Sequence, residues 1–383
     1  MEDSDRQNDG EKSSARLRVT GTCTSLEPPM GVLEFSVPYN NDPETLTEVF
    51  RLANGGNNRI REIYLSGPQQ YGGAGRIAPE MSFDRFVDIV GRIHSEGIRV
   101  NLLLNSICEG DDWYSSSVLN STMAYLKRVH EEHGVESVTM ANPLYIREVR
   151  KRFPRLEICA SVLGDIDCVE KGVIFRKAGA DVITPHVDIN RNPGLLKRIR
   201  DATGAEIKLM VNEGCLFRCA FRKFHFNYIS HKSRRPDGAA VRSEDNVFSL
   251  NCLQISKTDL SQFLKSGWIR PEDTRRYGGI TSYFKLVGRT SSKSMVLRCV
   301  QAYLGESWDG DLLELMAGNL YSAGMSHLLH LDNKSLDRAG FFERITSCDK
   351  ECSQCDYCTA MADRLIRRGV FTSGKIEDLG MKK

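Results

Sequence analysis

The sequence lacks any long apolar run, and no hydrophobic stretch reaches the length of a transmembrane helix. The N-terminal residues 1–14 are charged and have no apolar centre, so they do not resemble a signal peptide. A large charge imbalance is also missing, because the net charge is only +2 over 383 residues. Global charge therefore does not favour binding to nucleic acids or membranes. From these absences we expect a cytoplasmic protein that does not associate with a membrane.

Several catalytic motifs are missing as well. The chain contains no HExxH zinc motif and no pattern typical of Ser–His–Asp or aspartic peptidases. The glycine-rich residues 66–76 lack the GxxxxGK[ST] signature of a nucleotide phosphate loop. We interpret this segment as a flexible loop near an active site. The sequence therefore does not point to a well-known class of hydrolase or nucleotide-binding enzyme.

The chain does have a regular alternation of short apolar runs and amphipathic segments. The runs are rich in Val, Ile, Leu and Tyr, as expected for strands buried on both faces. They are Val32–Val37, Glu62–Leu65, Val100–Leu104, Ser137–Ala141, Glu157–Val162, Asp181–Thr184, Ile207–Val211 and Tyr283–Val287. Segments with helical spacing separate them. This pattern predicts a (β/α)8 TIM-type barrel, with an open doubly wound sheet as the alternative.

The pattern also divides the chain into three parts. Residues 1–28 are polar and are predicted to be disordered. The barrel is predicted to span residues 29–305. A C-terminal extension, helical and cysteine-rich, is predicted for residues 306–383, with an apolar helix around Leu312–Leu320.

The twelve cysteines are unevenly distributed along the chain. In a reducing compartment, clustered cysteines are typical of metal ligands or reactive thiols rather than disulfides. Cys215 and Cys219 follow the seventh predicted strand, and Cys252 follows a polar insertion. This position corresponds to the C-terminal mouth of a barrel, where barrel enzymes have their active sites. We therefore predict that Cys215, Cys219 and Cys252 bind an iron–sulfur cluster.

A second group of cysteines lies near the C-terminus. It consists of Cys348, Cys352, Cys355 and Cys358. Zinc sites usually use two separated CxxC pairs, so this compressed run favours an iron–sulfur cluster as the bound group. The first three also match the cysteine spacing of radical S-adenosylmethionine enzymes, although that motif normally follows the first barrel strand. Two arrangements remain open: one 4Fe–4S cluster completed by a tail ligand, or two clusters.

Three further side chains are candidates for catalysis at the mouth. Glu213 precedes Cys215 and is a candidate acid or base, with a hydrogen-bonding role in the loop as the alternative. His186 follows the sixth predicted strand and is a candidate catalytic histidine. Arg289 follows the eighth strand, where it is placed to bind a substrate carboxylate or to form a structural ion pair.

Several motifs in order resemble those of the peptidase family U-thirty-two (U32), also called collagenase-like proteases. Residues 64–76 resemble its YLGG…FGAR stretch, and Asn212–Leu216 resemble its cysteine motif. Ser256–Leu260 resemble its SKDL element, and residues 284–294 are similar to its K-I-x-G-R-x-K-S region. The similarity extends over about residues 30–305. The first strand and the cysteine-rich tail depart from the family pattern.

This resemblance implies chemistry other than proteolysis. Family members carry out oxygen-independent hydroxylation of ubiquinone precursors or of RNA bases, and prephenate is implicated as an oxygen source. Several members carry a 4Fe–4S cluster on four cysteines, so the resemblance implies Cys215, Cys219 and Cys252 as cluster ligands. Because the cysteine spacing is tighter than in the ubiquinone proteins, the substrate and the fourth ligand stay open.

Together, these observations predict an iron–sulfur-dependent oxidoreductase that hydroxylates or otherwise modifies a small metabolite. Such an enzyme would use an electron donor or a partner subunit. RNA base modification is a second hypothesis, in which the basic insertion Ser230–Asn246 would contact phosphates. The third hypothesis is a peptidase, and the fourth is a non-catalytic cluster-binding subunit.

Overall fold

The computed structural model describes residues 31–53, 55–233, 247–316 and 329–369. Eight parallel strands form a closed barrel in sequence order, and the first strand pairs with both the second and the eighth. The barrel predicted from the alternating pattern is thereby confirmed. The strands are β1 (Glu34–Pro38), β2 (Arg59–Ser66), β3 (Arg99–Leu104), β4 (Ser137–Met140), β5 (Glu157–Ala160), β6 (Val182–Ile183), β7 (Glu206–Met210) and β8 (Tyr283–Lys285).

Helices follow most strands and form the outer layer of the barrel. They are α1 (Pro43–Ala53), α2 (Phe83–Ser95), α3 (Ser116–Lys127), α4 (Pro143–Arg152), α5 (Val169–Ala178), α6 (Pro193–Thr203), α7 (Arg222–Ser233), α8 (Val247–Thr258), α9 (Ser261–Lys265) and α10 (Lys293–Leu304). A π-helical turn, Arg128–Glu132, extends α3. In the described ranges, no helix combines the length and apolar character needed to cross a membrane.

Helix α2 shows how the local sequence sets these elements. The Ser82 hydroxyl accepts a hydrogen bond from the backbone N–H of Arg85 and so caps the start of the helix. One face carries the buried apolar side chains, which pack against the barrel core: Phe86, Ile89, Val90 and Ile93. The chain then turns at Gly97, whose φ of +67° lies in the left-handed region that glycine adopts without strain.

The C-terminal extension packs against the barrel. It contains the antiparallel strands β9 (Leu329–Leu331) and β10 (Ile366–Arg368) and the helices α11 (Asn333–Arg338), α12 (Phe341–Thr346) and α13 (Tyr357–Leu365). The Phe341 ring stacks on the Trp268 ring, with centroids 5.6 Å apart. Arg270 joins the two parts, because its guanidinium donates to Asp273 and, at 2.6 Å, to Asp337.

Three predicted features differ from the structure or lie outside the described residues. The helix predicted around Leu312–Leu320 is a 3₁₀ turn at Leu312–Leu315, and residues 317–328 are not described. The Asp311 carboxylate accepts from the backbone of both Leu313 and Leu331, which ties the turn to β9. Residues 1–28 and positions 234–246 of the basic insertion also lie outside the described ranges, while residues 230–233 end α7.

Candidate active site at the barrel mouth

A cavity of about 120 Å³ lies at the C-terminal mouth of the barrel. Its charged lining consists of Arg76, Glu213, Lys285 and Arg289. These residues come from the loop after β2, the loop after β7, the end of β8 and the loop after β8, so distant parts of the chain meet here. Three cationic side chains and one carboxylate therefore surround a small space.

Glu213 is positioned by its neighbour Asn212, whose side-chain amide donates to the carbonyl groups of Val287 and Leu315. The Glu213 side chain is buried, and its Oε1 lies 3.7 Å from Nη2 of Arg76. The Cys215 thiol donates to the same Oε1 atom over 3.1 Å. Burial and then the Glu213 charge raise the pKa of Cys215 to about 12, so this thiol is protonated at neutral pH.

Arg289 faces the cavity and has no counter-ion among the described residues. It is only 5% exposed, and it donates to the Ser66 hydroxyl and to the carbonyl oxygen of Arg76. Within the described part of the chain, no carboxylate forms an ion pair with its guanidinium. Burial lowers the pKa of Arg289 to about 10, which still leaves the side chain cationic at neutral pH.

His186 lies in a second cavity of about 530 Å³, next to Asp165, Asp188 and Cys219. Its Nε2 atom is 3.4 Å from the Asp165 carboxylate, and its Nδ1 atom is 3.4 Å from that of Asp188. Burial, followed by the charge of Arg222, lowers the pKa of His186. The structure therefore groups Glu213 with Arg289 in one cavity and places His186 with Cys219 in the other.

The three mouth cysteines make different contacts. The thiols of Cys219 and Cys252 are hydrogen-bonded to each other, which lowers the pKa of Cys219 to about 6 and raises that of Cys252. The Cys215 thiol instead turns towards Glu213. Across the ranges that the structure describes, no three His, Cys, Asp or Glu side chains converge closely enough to hold a metal ion.

The four tail cysteines form a separate group. Cys348, Cys352, Cys355 and Cys358 all line a third cavity, of about 40 Å³, together with Arg191 and Lys350. This cavity lies beside the mouth loop, because Arg218 donates through Nη1 to the carbonyl oxygen of Lys350 over 3.2 Å. The tail is thus folded back onto the barrel, and its thiols surround a space of their own.

Sequence reasoning missed two charged residues of the mouth cavity, Arg76 and Lys285, as candidates. Arg76 contacts Glu213 and lies over the Phe226 ring, 4.9 Å from its centroid. Lys285 is buried at the end of β8 and interacts with the Tyr64 ring. A signal for Lys285 was present, because a lysine inside a strand that is otherwise apolar needs a structural or chemical reason.

The chain is similar to proteins that are named as proteases or peptidases. No family model matches the chain. An uncharacterized protease of Methanocaldococcus jannaschii is 28% identical over 309 residues, which cover 80% of this chain and 89% of the relative. Among solved structures, a U32 peptidase is 19% identical, with a TM-score of 0.46 and coverage of 59% of this chain and 87% of that chain.

The sequence match and the ordered motifs support membership of the U32 peptidase family. This agrees with the family resemblance predicted from the sequence. A chitinase from Rhizomucor miehei is also similar in structure, with 10% identity, a TM-score of 0.38 and coverage of 71% of this chain and 99% of that chain. The name of the Methanocaldococcus jannaschii relative refers to a protease and does not mention iron–sulfur or redox chemistry. That name agrees with the peptidase hypothesis and gives no support to the predicted oxidoreductase.

Proposed function

We propose that the protein is an enzyme that binds a small anionic metabolite in the mouth cavity and modifies it next to an iron–sulfur cluster. The observation that carries this proposal is the buried guanidinium of Arg289 in the cavity wall, which forms no ion pair with any described residue. A planar guanidinium binds a carboxylate through two parallel hydrogen bonds. An anionic ligand would supply the negative charge that the described residues do not provide.

The size of the cavity supports a small ligand. Its volume of about 120 Å³ is well below the roughly 300–1,000 Å³ of typical clefts for drug-sized molecules. Its position at the carboxyl ends of the barrel strands is where barrel enzymes act. In this proposal Arg289 holds the substrate anion, and Glu213 exchanges a proton with the substrate. His186 would serve the adjoining cavity instead.

The mouth cysteines have the chemistry of cluster ligands. The thiolate is the form that binds metal, and Cys219 reaches that form near neutral pH. Cys215, Cys219 and Cys252 would hold a 4Fe–4S cluster once the Cys215 side chain turns away from Glu213. When bound, the cluster would supply one-electron chemistry or an open iron as a Lewis acid. The separate tail cavity favours a second site on Cys348, Cys352, Cys355 and Cys358 over a shared one.

Metal analysis of anaerobically purified protein tests the cluster. We expect about four irons and four acid-labile sulfides for each cluster, with visible absorption from the thiolate-bound iron. Cys215→Ala should remove the mouth cluster and leave any tail site loaded. Cys299→Ala is the matched control, because Cys299 is buried on α10 and donates to the Leu315 carbonyl. Full iron and sulfide content in Cys215→Ala, or stoichiometric zinc in place of iron, would contradict the proposal.

A peptidase is the second candidate, and the name of the Methanocaldococcus jannaschii relative agrees with it. Glu213 would then be the candidate base for activating water, held in place by Arg76. The test is cleavage of gelatin and of a denatured protein by the full chain, purified aerobically and freed of metal. Cleavage that disappears in Glu213→Gln would establish peptidase activity. Our main proposal predicts no cleavage by either protein.

A further inference from the structure

Lys285 is the last residue of β8, and its side chain lies in the wall of the mouth cavity. The residue is only 8% exposed. Its Nζ atom lies over the Tyr64 ring, 3.8 Å from the centroid. The Tyr64 hydroxyl donates to the carbonyl oxygen of Leu286 over 2.8 Å, which holds the ring in place. The amine therefore packs against this ring, in the wall of the cavity where a ligand would bind.

The Lys285 amine has no counter-ion in the part of the chain that the structure describes. The Glu62 carboxylate inside the barrel attracts the Lys285 amine electrostatically, but it is already paired with another lysine. Its Oε1 atom accepts from Lys208 over 2.8 Å and from the Ser36 hydroxyl over 2.6 Å. No ion pair or hydrogen bond to Lys285 Nζ exists among the described residues. Lys285 is thus a buried lysine without the partner that normally accompanies one.

This environment favours the neutral amine. Burial, followed by the positive charge of Lys208, lowers the pKa of Lys285 to about 7. The opposing effects of Cys159 and Glu62 are smaller, while Arg289 adds to the decrease. A lysine that is desolvated and next to another cation is activated as a nucleophile towards carbonyl groups. Buried lysines of this kind are the ones that form Schiff bases in enzymes.

We propose that Lys285 forms a Schiff base with a small oxo acid bound in the mouth cavity. Arg289 would hold the carboxylate of this ligand, so the inference rests on the anion-binding cavity of the proposed function. The nitrogen lone pair attacks the carbonyl carbon, and the C–O bond then breaks. The carbonyl oxygen leaves as water, which takes up the two amine hydrogens, and a C=N bond remains. No electron donor or acceptor is needed, because nothing is oxidised or reduced.

Borohydride trapping tests this step with glyoxylate as the probe. The full chain is incubated with glyoxylate at pH 7, reduced with borohydride and analysed by peptide mass mapping. At this pH about half of Lys285 but well under 1% of an ordinary lysine is neutral. We therefore expect at least about ten-fold more adduct at Lys285 than at Lys197, an exposed lysine on α6. Glycolate, which has the carboxylate but no carbonyl, should protect Lys285.

Three variants sharpen the experiment. Lys285→Met should abolish the adduct at this position, and Arg289→Gln should weaken both labelling and protection by glycolate. Lys197→Arg is the matched control and should leave the adduct at Lys285 unchanged. Peptide mapping of the labelled wild-type protein keeps the test decisive even where a variant fails to fold.

Labelling that follows surface exposure and spares Lys285 would overturn the inference. Calorimetric titration of the wild-type protein with glycolate then distinguishes the Schiff-base inference from the anionic-ligand proposal. Binding that Arg289→Gln abolishes, without any adduct at Lys285, would leave the anionic-ligand proposal standing and remove the Schiff base. Absence of both binding and adduct would remove both.

Discussion

At the scale of single residues, the barrel interior contains a fully buried ion pair between Glu62 and Lys208. Burial alone would raise the pKa of Glu62. The charge of Lys208, the hydrogen bonds from Lys208 and Ser36 and the charge of Lys285 together outweigh burial and lower the pKa to about 2. Ser36 and Ser137 also donate to the carboxylate. Both oxygen atoms of the Glu62 carboxylate thus accept hydrogen bonds. Removing either charge of the pair would leave the other buried without its partner, which lowers the stability of the fold.

Glu62→Gln should destabilise the fold by about 3–5 kcal/mol at pH 7, because it leaves the Lys208 charge buried without a carboxylate. Urea unfolding of the two proteins measures the difference. The folded-state pKa of Glu62 lies below the unfolded value. Its contribution is therefore present above about pH 4.5 and is lost as the pH falls towards 2. The difference between wild type and variant should shrink over that range.

Glu48→Gln is the matched control for this substitution. Glu48 pairs with Arg51 on the surface of α1, where the arginine side chain is 70% exposed. Such a pair contributes less than about 1 kcal/mol. An equal effect of the two substitutions would contradict the assigned importance of the buried pair.

At the scale of elements, most strands and helices follow from local sequence patterns, but some junctions depend on close approach. Gly267 follows α9 and lies directly against the backbone of Val187, which begins the turn after β6. A Cβ atom at this position would lie 2.1 Å from the Val187 carbonyl oxygen. Glycine is therefore required by packing between two loops, and no local turn pattern would have revealed it.

Gly267→Ala should lower stability by about 1–3 kcal/mol, because backbone atoms must move to admit the methyl group. Gly91→Ala should have the opposite sign. Gly91 lies in the middle of α2 on its solvent-exposed face, with open space around it. Alanine at this position should therefore stabilise the fold by about 0.5–1 kcal/mol. Thermal unfolding of both variants measures these two changes in stability. A lower unfolding temperature for both variants would refute the explanation based on packing.

At the scale of the whole molecule, the extension and the barrel meet in an apolar contact that includes Trp268 and Phe341. The Arg191 guanidinium lies 4.2 Å from the centroid of the Trp268 ring and 5.5 Å from that of Phe341. Phe341 is 1% exposed and belongs to the same core as the barrel residues. The tail cysteines, which follow α12, are thereby held next to the mouth loop.

Phe341→Ala should therefore destabilise the protein by about 3–5 kcal/mol and loosen the extension. Urea unfolding measures the first effect. Alkylation of Cys348, Cys352, Cys355 and Cys358 in the native protein measures the second and should become faster. The control is Phe224→Ala on α7, because Phe224 is 66% exposed and should change stability by no more than about 0.5 kcal/mol. Unchanged alkylation rates would show that the extension stays docked without Phe341.

The candidate site was only partly predictable from the sequence. Glu213 and Arg289 were found because each follows a strand, and the ends of parallel strands share one face of a barrel. The same rule placed His186 at the mouth, but the structure assigns it to the neighbouring cavity. Strand order gives the face of the barrel on which a residue lies. It does not give the direction in which a loop side chain points.

The sequence by itself determined the barrel, because hydrophobic periodicity, caps and glycine positions act within short segments of the chain. Only the tertiary structure decided which polar groups meet inside it. Glu62 and Lys208 are separated by 146 residues, and Arg289 and Ser66 by 223. Contacts of this kind depend on barrel closure and on side-chain orientation. Hydrophobic periodicity within short segments contains no information about either. The mouth cavity, its unpaired cations and the separate tail cavity could therefore be identified only from the folded chain.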